Sequence, residues 1–191
     1  VIQMLKKPSD KVEQIREKEN IYNEILEILA PFKETANVWT SVYFGNEKID
    51  YDWMIGLLEM PGRWKRVREK GWFKKADNIN NEKHFFHWEL EFPEIFFDEH
   101  GKEKDNPGFD AVVGNPPWVR FHNLNTDEVS YFSYAFDYAT GQFDAFGLMI
   151  EKGFEKLRNA GHFGFIMPDL LLRGLQYQGL RKALLKKARI T

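Results

Sequence analysis

Cysteine is absent from all 191 residues. That excludes disulfides, Cys-based zinc sites and thiol nucleophiles. No apolar run approaches the roughly 18–20 residues of a membrane span, and no signal peptide opens the chain. No membrane partner is expected, and the default compartment is cytoplasmic. An excess of one charge is also missing: 27 Lys and Arg face 29 Asp and Glu, for a net charge of −2. A protein that simply coats nucleic acid is strongly basic, so that class is excluded. There is no internal repeat and no low-complexity stretch.

What is present is aromatic. Phe, Tyr and Trp make up 16% of the chain, within a hydrophobic content of 43% and a charged content of 29%. The balance is that of a core-forming globular protein of ordinary single-domain size. Large flat side chains serve thick cores, and also sites where a base is stacked. The charges are uneven. Between Arg63 and Lys75 stand seven basic residues (Arg63, Lys65, Arg66, Arg68, Lys70, Lys74 and Lys75) against one acid, Glu69. Arg181, Lys182, Lys186, Lys187 and Arg189 form a second patch without any acid. The chain starts at Val1 in place of Met and stops at Ile190-Thr191 after a helix-like run, so a piece of a longer protein is expected.

Ser9-Asp10 suits a helix cap, and Val12, Ile15, Ile21, Ile25, Ile28 and Leu29 fall mostly on one helical face, with Pro31 expected to end the helix. Lys33–Ile49 is mixed and suits helix or strand, and Tyr51–Met60 reads as helix. His87-Trp88-Glu89-Leu90-Glu91-Phe92 alternates polar with apolar, which predicts a strand stopped by Pro93. Gly101–Gly108 is a charged loop. Phe109–Gly114 predicts a short buried strand, Thr126–Ala139 and Asp144–Arg158 two helices, His162–Met167 another strand, and Leu175–Ala188 a basic amphipathic helix. From residue 109 onward this is the strand–helix alternation of an α/β unit, whose ligands sit at the carboxyl ends of the strands. Residues 1–83 read as a helical region.

Asn115-Pro116-Pro117-Trp118 follows the apolar strand directly. Two consecutive prolines stiffen the backbone and donate no N–H. The Pro116 carbonyl and the Asn115 side-chain oxygen are then two acceptors suited to one amino group, with Trp118 as a flat neighbour. Such a set suits the exocyclic amine of a flipped base. A strand-ending Asn-Pro-Pro turn with a packed Trp would account for the same residues without any function.

Phe109-Asp110-Ala111-Val112-Val113-Gly114-Asn115-Pro116-Pro117-Trp118 resembles the catalytic strand and loop of amino-methylating DNA methyltransferases, the adenine-N6 group in particular. Phe86–Phe96 resembles the stretch before that loop in the large methylases of restriction-modification and related phage-defence systems. Gly141-Gln142-Phe143-Asp144-Ala145-Phe146 and Gly161–Pro168 are similar to the segments that follow in the same group. The resemblance covers residues 84–191. It implies the catalytic-loop half of a Rossmann-like, S-adenosylmethionine-dependent fold, preceded by the helical region 1–83.

The resemblance further implies that a flipped adenine in double-stranded DNA stacks on Trp118, with its amino group held by Asn115 and Pro116 beside Pro117. S-adenosylmethionine would supply the methyl group without a covalent enzyme intermediate, in keeping with the missing Cys. Asp144 and Glu94 are the candidate contacts to the cofactor, although helix N-capping alone accounts for Asp144. The family's Gly-rich cofactor loop has no counterpart before residue 109, where Gly45, Gly56, Gly62 and Gly71 stand isolated. That loop is expected upstream in the parent polypeptide, with a recognition domain downstream, so the isolated chain is expected to be inactive. No nuclease signature is evident. The same loop also serves cytosine-N4, RNA and protein-glutamine amines, and a degenerate loop in a DNA- or partner-binding module is the non-enzymatic alternative.

His84 and His87 lack a clear third ligand, so no metal site is expected. Asp110 suits a structural hydrogen bond. Trp64, Trp72 and Phe73, interleaved with the first basic cluster, suit phosphate contact or a solvated helix face. Tyr131, Phe132, Tyr134, Phe136 and Tyr138 read as mostly core.

Overall fold

The computed structural model describes residues 7–189. Val1–Lys6 and the Ile190-Thr191 end lie outside the described residues. The chain divides into two compact units, residues 1–104 and 105–191. The start of the family resemblance at residue 84 therefore does not coincide with this division.

The first unit is helical. Helix α1 spans Val12–Ser41. Its start is not capped by Ser9-Asp10. Instead Gln14 reaches back, its Oε1 accepting from the backbone N–H groups of Asp10 and Lys11, both at 3.0 Å. Pro31 does not end the helix as expected but lies inside it. A proline costs one i→i−4 bond, here to the carbonyl of Glu27, an exposed residue whose lost partner water can replace. One turn on, the Thr35 hydroxyl donates to the Pro31 carbonyl at 2.8 Å. Burial of Thr35, Val38 and Ser41 then carries the helix past the proline.

Helices α2 (Tyr51–Leu58), α3 (Pro61–Val67) and α4 (Gly71–Lys83) follow. Asp50 Oδ1 caps α2 by accepting from Trp53 N at 3.0 Å. Val38, Met54, Leu57, Trp64, Val67, Phe73 and Ala76 form one buried cluster. The polar side chains around it are satisfied internally. Ser41 Oγ donates to the Val38 carbonyl at 2.7 Å, and Asn46 Nδ2 donates to Ser41 Oγ and to the Trp72 carbonyl, both at 2.9 Å.

The strand expected at His87–Phe92 is not there. Two short helical turns, α5 (Trp88–Glu91) and α6 (Pro93–Phe96), take its place. Helical spacing brings Trp88 and Phe92 into a stacked pair with ring centroids 6.2 Å apart. Glu91 pairs with Lys33 of α1 at 2.8 Å. Alternation over six residues fits a strand only where a neighbouring strand exists to pair with.

The second unit is built on two parallel strands, β1 (Phe109–Gly114) and β2 (Leu157–Phe165). Between them lie α7 (Thr126–Ala135) and α8 (Ala145–Glu155), and after them a short turn α9 (Leu170–Arg173) and α10 (Gln178–Lys187). Strand β2 begins earlier than the sequence suggests, taking in Leu157–Gly161. The register is irregular there: Phe109 pairs with Leu157 but Ala111 with His162, and Ala160 adopts a positive φ of 61°. Gly108 leads into β1 at φ 118°, where a Cβ would meet Arg158 N at 2.5 Å, so only glycine fits. The expected helix over Leu175–Ala188 opens with a 3-10 turn, Leu175–Tyr177. One core cluster gathers Phe146, Ile150, Leu171, Tyr177 and Leu180. Another gathers Ala139, Phe143 and Leu148.

Candidate functional site

Strand β1 ends at Gly114, whose carbonyl accepts from Ile166 N at 3.0 Å. Asn115-Pro116-Pro117-Trp118 leaves from there, at the carboxyl end of a parallel strand. Pro116 is buried, whereas Asn115, Pro117 and Trp118 are exposed. Trp118 is 59% exposed, an unusual state for the largest apolar side chain.

The loop is fastened beyond Trp118. The Val119 carbonyl accepts from Ala145 N at 2.8 Å, at the start of α8. Phe121 N donates to Asp144 Oδ1 at 3.2 Å. The Phe121 ring meets Phe143 edge-on at 5.4 Å in the second core cluster. A segment buried at Pro116 and held at residues 119 and 121 presents Asn115 and Trp118 on a fixed backbone.

The capping bond that would account for Asp144 is not made: the residue occupies the N-cap position of α8 but makes no side-chain cap bond. Its carboxylate instead joins two distant segments: Oδ1 receives Phe121 N, and Oδ2 accepts from the Tyr177 hydroxyl at 3.0 Å. The same hydroxyl accepts from Asp144 N at 3.1 Å. Burial, and then the hydrogen bond to Asp144, push the Tyr177 hydroxyl far above the ordinary phenol range and keep it protonated. Sequence reasoning missed Tyr177, which lies 33 residues from its partner and in no motif. On α8 itself, Glu151 accepts from Asp137 N at 2.5 Å and Tyr138 N at 3.1 Å, and burial raises its pKa.

Glu94 belongs to the first unit, whereas the other five candidates belong to the second. Its Oε2 is buried without a hydrogen-bond partner, while its backbone carbonyl accepts from Lys104 Nζ at 2.5 Å. An unsatisfied buried carboxylate oxygen calls for an explanation. Nearby in sequence, His87 Nε2 is 2.8 Å from Asn37 Oδ1, and burial lowers its pKa, so the neutral ring donates to Asn37. Among the described residues no group of three or more His, Asp or Glu side chains is placed to hold a metal ion. No helix among them is long and apolar enough to cross a membrane.

Trp64 and Phe73 are core residues, 3% and 7% exposed, with rings 6.2 Å apart. They are therefore not the stacking platform that their place among cations suggests. Asp110 is paired with Arg158 at 2.6 Å, as a structural role requires. Of the helix-α7 aromatics and their neighbour, Phe132 and Phe136 pack on the second core cluster, while Tyr134 is 73% exposed.

The chain is 34% identical over 102 residues to a candidate type II restriction enzyme and methyltransferase of Methanocaldococcus jannaschii, a stretch that is 53% of this chain and 8% of the relative. It is 32% identical over 82 residues to the type II restriction enzyme and methyltransferase RM.Eco57I of Escherichia coli, 41% of this chain and 8% of the relative. The type II methyltransferase M.HincII of Haemophilus influenzae is 34% identical over 84 residues, 42% of this chain and 17% of the relative. The chain thus aligns with only a small part of each of these proteins. No solved structure matches it. The family model of the Eco57I restriction-modification methylases matches residues 7–191, and the chain belongs to that family.

Proposed function

We propose that this chain is the catalytic-loop part of a site-specific DNA methyltransferase that transfers a methyl group from S-adenosylmethionine to the N6 amino group of adenine in duplex DNA. The observation that carries the proposal is the Asn115–Trp118 loop. It leaves the carboxyl end of a parallel strand, is fastened at Pro116, Val119 and Phe121, and leaves Asn115 and Trp118 exposed. In this reading Trp118 stacks on a base taken out of the duplex. The Asn115 oxygen and the Pro116 carbonyl accept from its amino group and so orient the nitrogen lone pair. Positioning of this kind is most of the catalysis that an already activated methyl donor requires. When bound, S-adenosylmethionine supplies that activated methyl group.

The cofactor reading is supported unequally by its two candidates. Glu94 fits an amino donor, because its buried Oε2 lacks one. Each oxygen of Asp144 already holds a protein donor, so Asp144 acts first as the brace of the loop. The parallel pair β1–β2 with α8 between its strands fits part of a Rossmann-like sheet. The rest of that sheet, the glycine-rich cofactor loop and the domain that reads the DNA sequence would belong to flanking parts of the parent polypeptide.

The test is methyl transfer to unmethylated duplex DNA by the protein carrying this chain with its flanking sequence, followed by nucleoside analysis. Asn115→Ala is expected to lower the rate by about 10²–10³, as loss of a transition-state hydrogen bond does, with folding unchanged. Transfer unaffected by the substitution would remove Asn115 from the mechanism. Methyl groups found on cytosine-N4, or on RNA alone, would replace the substrate assigned here. Calorimetric titration of the 191-residue chain with S-adenosylmethionine is expected to show no micromolar binding. Clear binding would place a complete cofactor site within this sequence.

A further inference from the structure

Helices α3 and α4 turn apolar residues inward in step, Trp64 and Val67 from one, Phe73 and Ala76 from the other. That leaves Arg63, Lys65, Arg66, Lys70 and Lys74 exposed. The two remaining cations of the cluster are engaged. Arg68 pairs with Glu34 at 2.8 Å, and Lys75 donates to the Gly45 carbonyl at 2.5 Å. Glu34 also accepts from Trp64 Nε1 at 2.7 Å, so the acid that reaches the cluster from α1 is committed. The five exposed cations form no ion pair among the described residues. Glu69 is the one acid between them in sequence. A chain of net charge −2 therefore concentrates positive charge between residues 63 and 75, with Asp77 and Glu82 the acids further along α4.

The burial of the interleaved aromatics decides what such a surface can bind. A cationic groove for single strands needs exposed rings on which bases stack. Here Trp64 and Phe73 are inside, and Trp72 is half-buried against them. What remains among these cations is charge without an interleaved exposed ring, which complements a phosphate backbone whose bases are already paired. We propose that the exposed face of α3 and α4 is a sequence-independent docking surface for the phosphates of duplex DNA. The choice of duplex draws on those buried aromatics and rests also on the function proposed above; the charge does not.

Fluorescence anisotropy with a labelled duplex of about 30 base pairs, titrated with the whole chain over a range of salt concentrations, tests this. Neutralising five phosphates gives a slope of log affinity against log salt of roughly −4 to −5. The triple variant Lys65→Ala, Arg66→Ala, Lys74→Ala is expected to flatten that slope by roughly 2–3 and to weaken binding about tenfold or more at about 0.1 M salt. A control that removes the same charge from α10 (Lys182→Ala, Lys186→Ala, Lys187→Ala) is expected to cost no more than about twofold. If the triple variant loses its helical circular dichroism, Lys65→Glu and Lys74→Glu, tested singly, are each expected to weaken binding about threefold or more. No binding by the unsubstituted chain at about 50 mM salt, or equal losses in the two triple variants, would overturn the proposal. So would tighter binding of single-stranded DNA or RNA than of duplex. The assay involves no methyl transfer, so its failure leaves the Asn115 result standing, and the reverse also holds.

Discussion

Trp64 and Trp118 show how differently the two units use the same side chain. Trp64 is 3% exposed, packs on Phe73 and donates its indole N–H to Glu34 at 2.7 Å. Trp118 is 59% exposed at the end of a strand. One ring is surrounded and its polar atom satisfied, as a core requires. The other is left in water by a backbone that is itself firmly held. An exposed tryptophan contributes little burial to its own unit, and the role proposed for Trp118 above is a contact made in use.

Four substitutions or conditions break or sharpen this contrast. The largest effect is expected from Trp64→Ala, which empties a core site and removes a donor from Glu34. It should cost about 3–5 kcal/mol in urea unfolding; a loss under about 1 kcal/mol would mean that the first unit does not depend on this ring. Trp118→Ala should leave the urea midpoint nearly unchanged but remove a stacking contact of about 1–3 kcal/mol. In the protein with its flanking sequence, that reads as roughly a 5- to 150-fold loss in kcat/KM for duplex DNA. Tyr177→Phe keeps the ring on Phe146, 4.9 Å between centroids, and deletes only the hydroxyl that braces Asp144. A cost of about 1 kcal/mol is expected, with faster hydrogen exchange at Phe121 and Asp144 and no change at Trp64. Unaltered exchange at Phe121 would show that the loop is held without the brace.

The smallest effect is a pH dependence confined to the first unit. Burial lowers the pKa of His87 below its ordinary 6.5, so the folded chain favours the neutral ring that donates to Asn37. The stability this provides is complete above about pH 6.5 and is lost as pH falls through the lower folded value. His87→Gln should flatten the fall in urea midpoint between about pH 7 and 5. An identical fall in the variant would assign it to other groups.

Residues that act through their neighbours along the chain are legible in the sequence. Phe109–Gly114 reads as a buried strand because its apolar run is bounded by Gly and by Asn-Pro-Pro; it folds as a strand, but not a buried one, with Val113 77% exposed. Helix α8 begins beside Asp144, where the sequence places its start. Residues whose role depends on distant partners are not legible in this way. Pro31 stays within α1 because tertiary burial outweighs one lost backbone bond. Trp88–Glu91 is helical because, among the described residues, no strand pairs with it. Leu157–Gly161 joins β2 through a register irregularity at Ala160 that no local pattern announces. At the candidate site the loop itself can be read from its four residues, whereas its brace, Tyr177 on Asp144, cannot.

The parallel pairing of β1 with β2 has a kinetic consequence. Gly114 pairs with Phe165 across both intervening helices of the sequence, and the brace needs Tyr177, further along still. Contacts so distant in sequence form slowly, because the entropy of closing the chain is lost before they reward it. The Asn115–Trp118 loop therefore takes its shape late in folding, after the local helical turns.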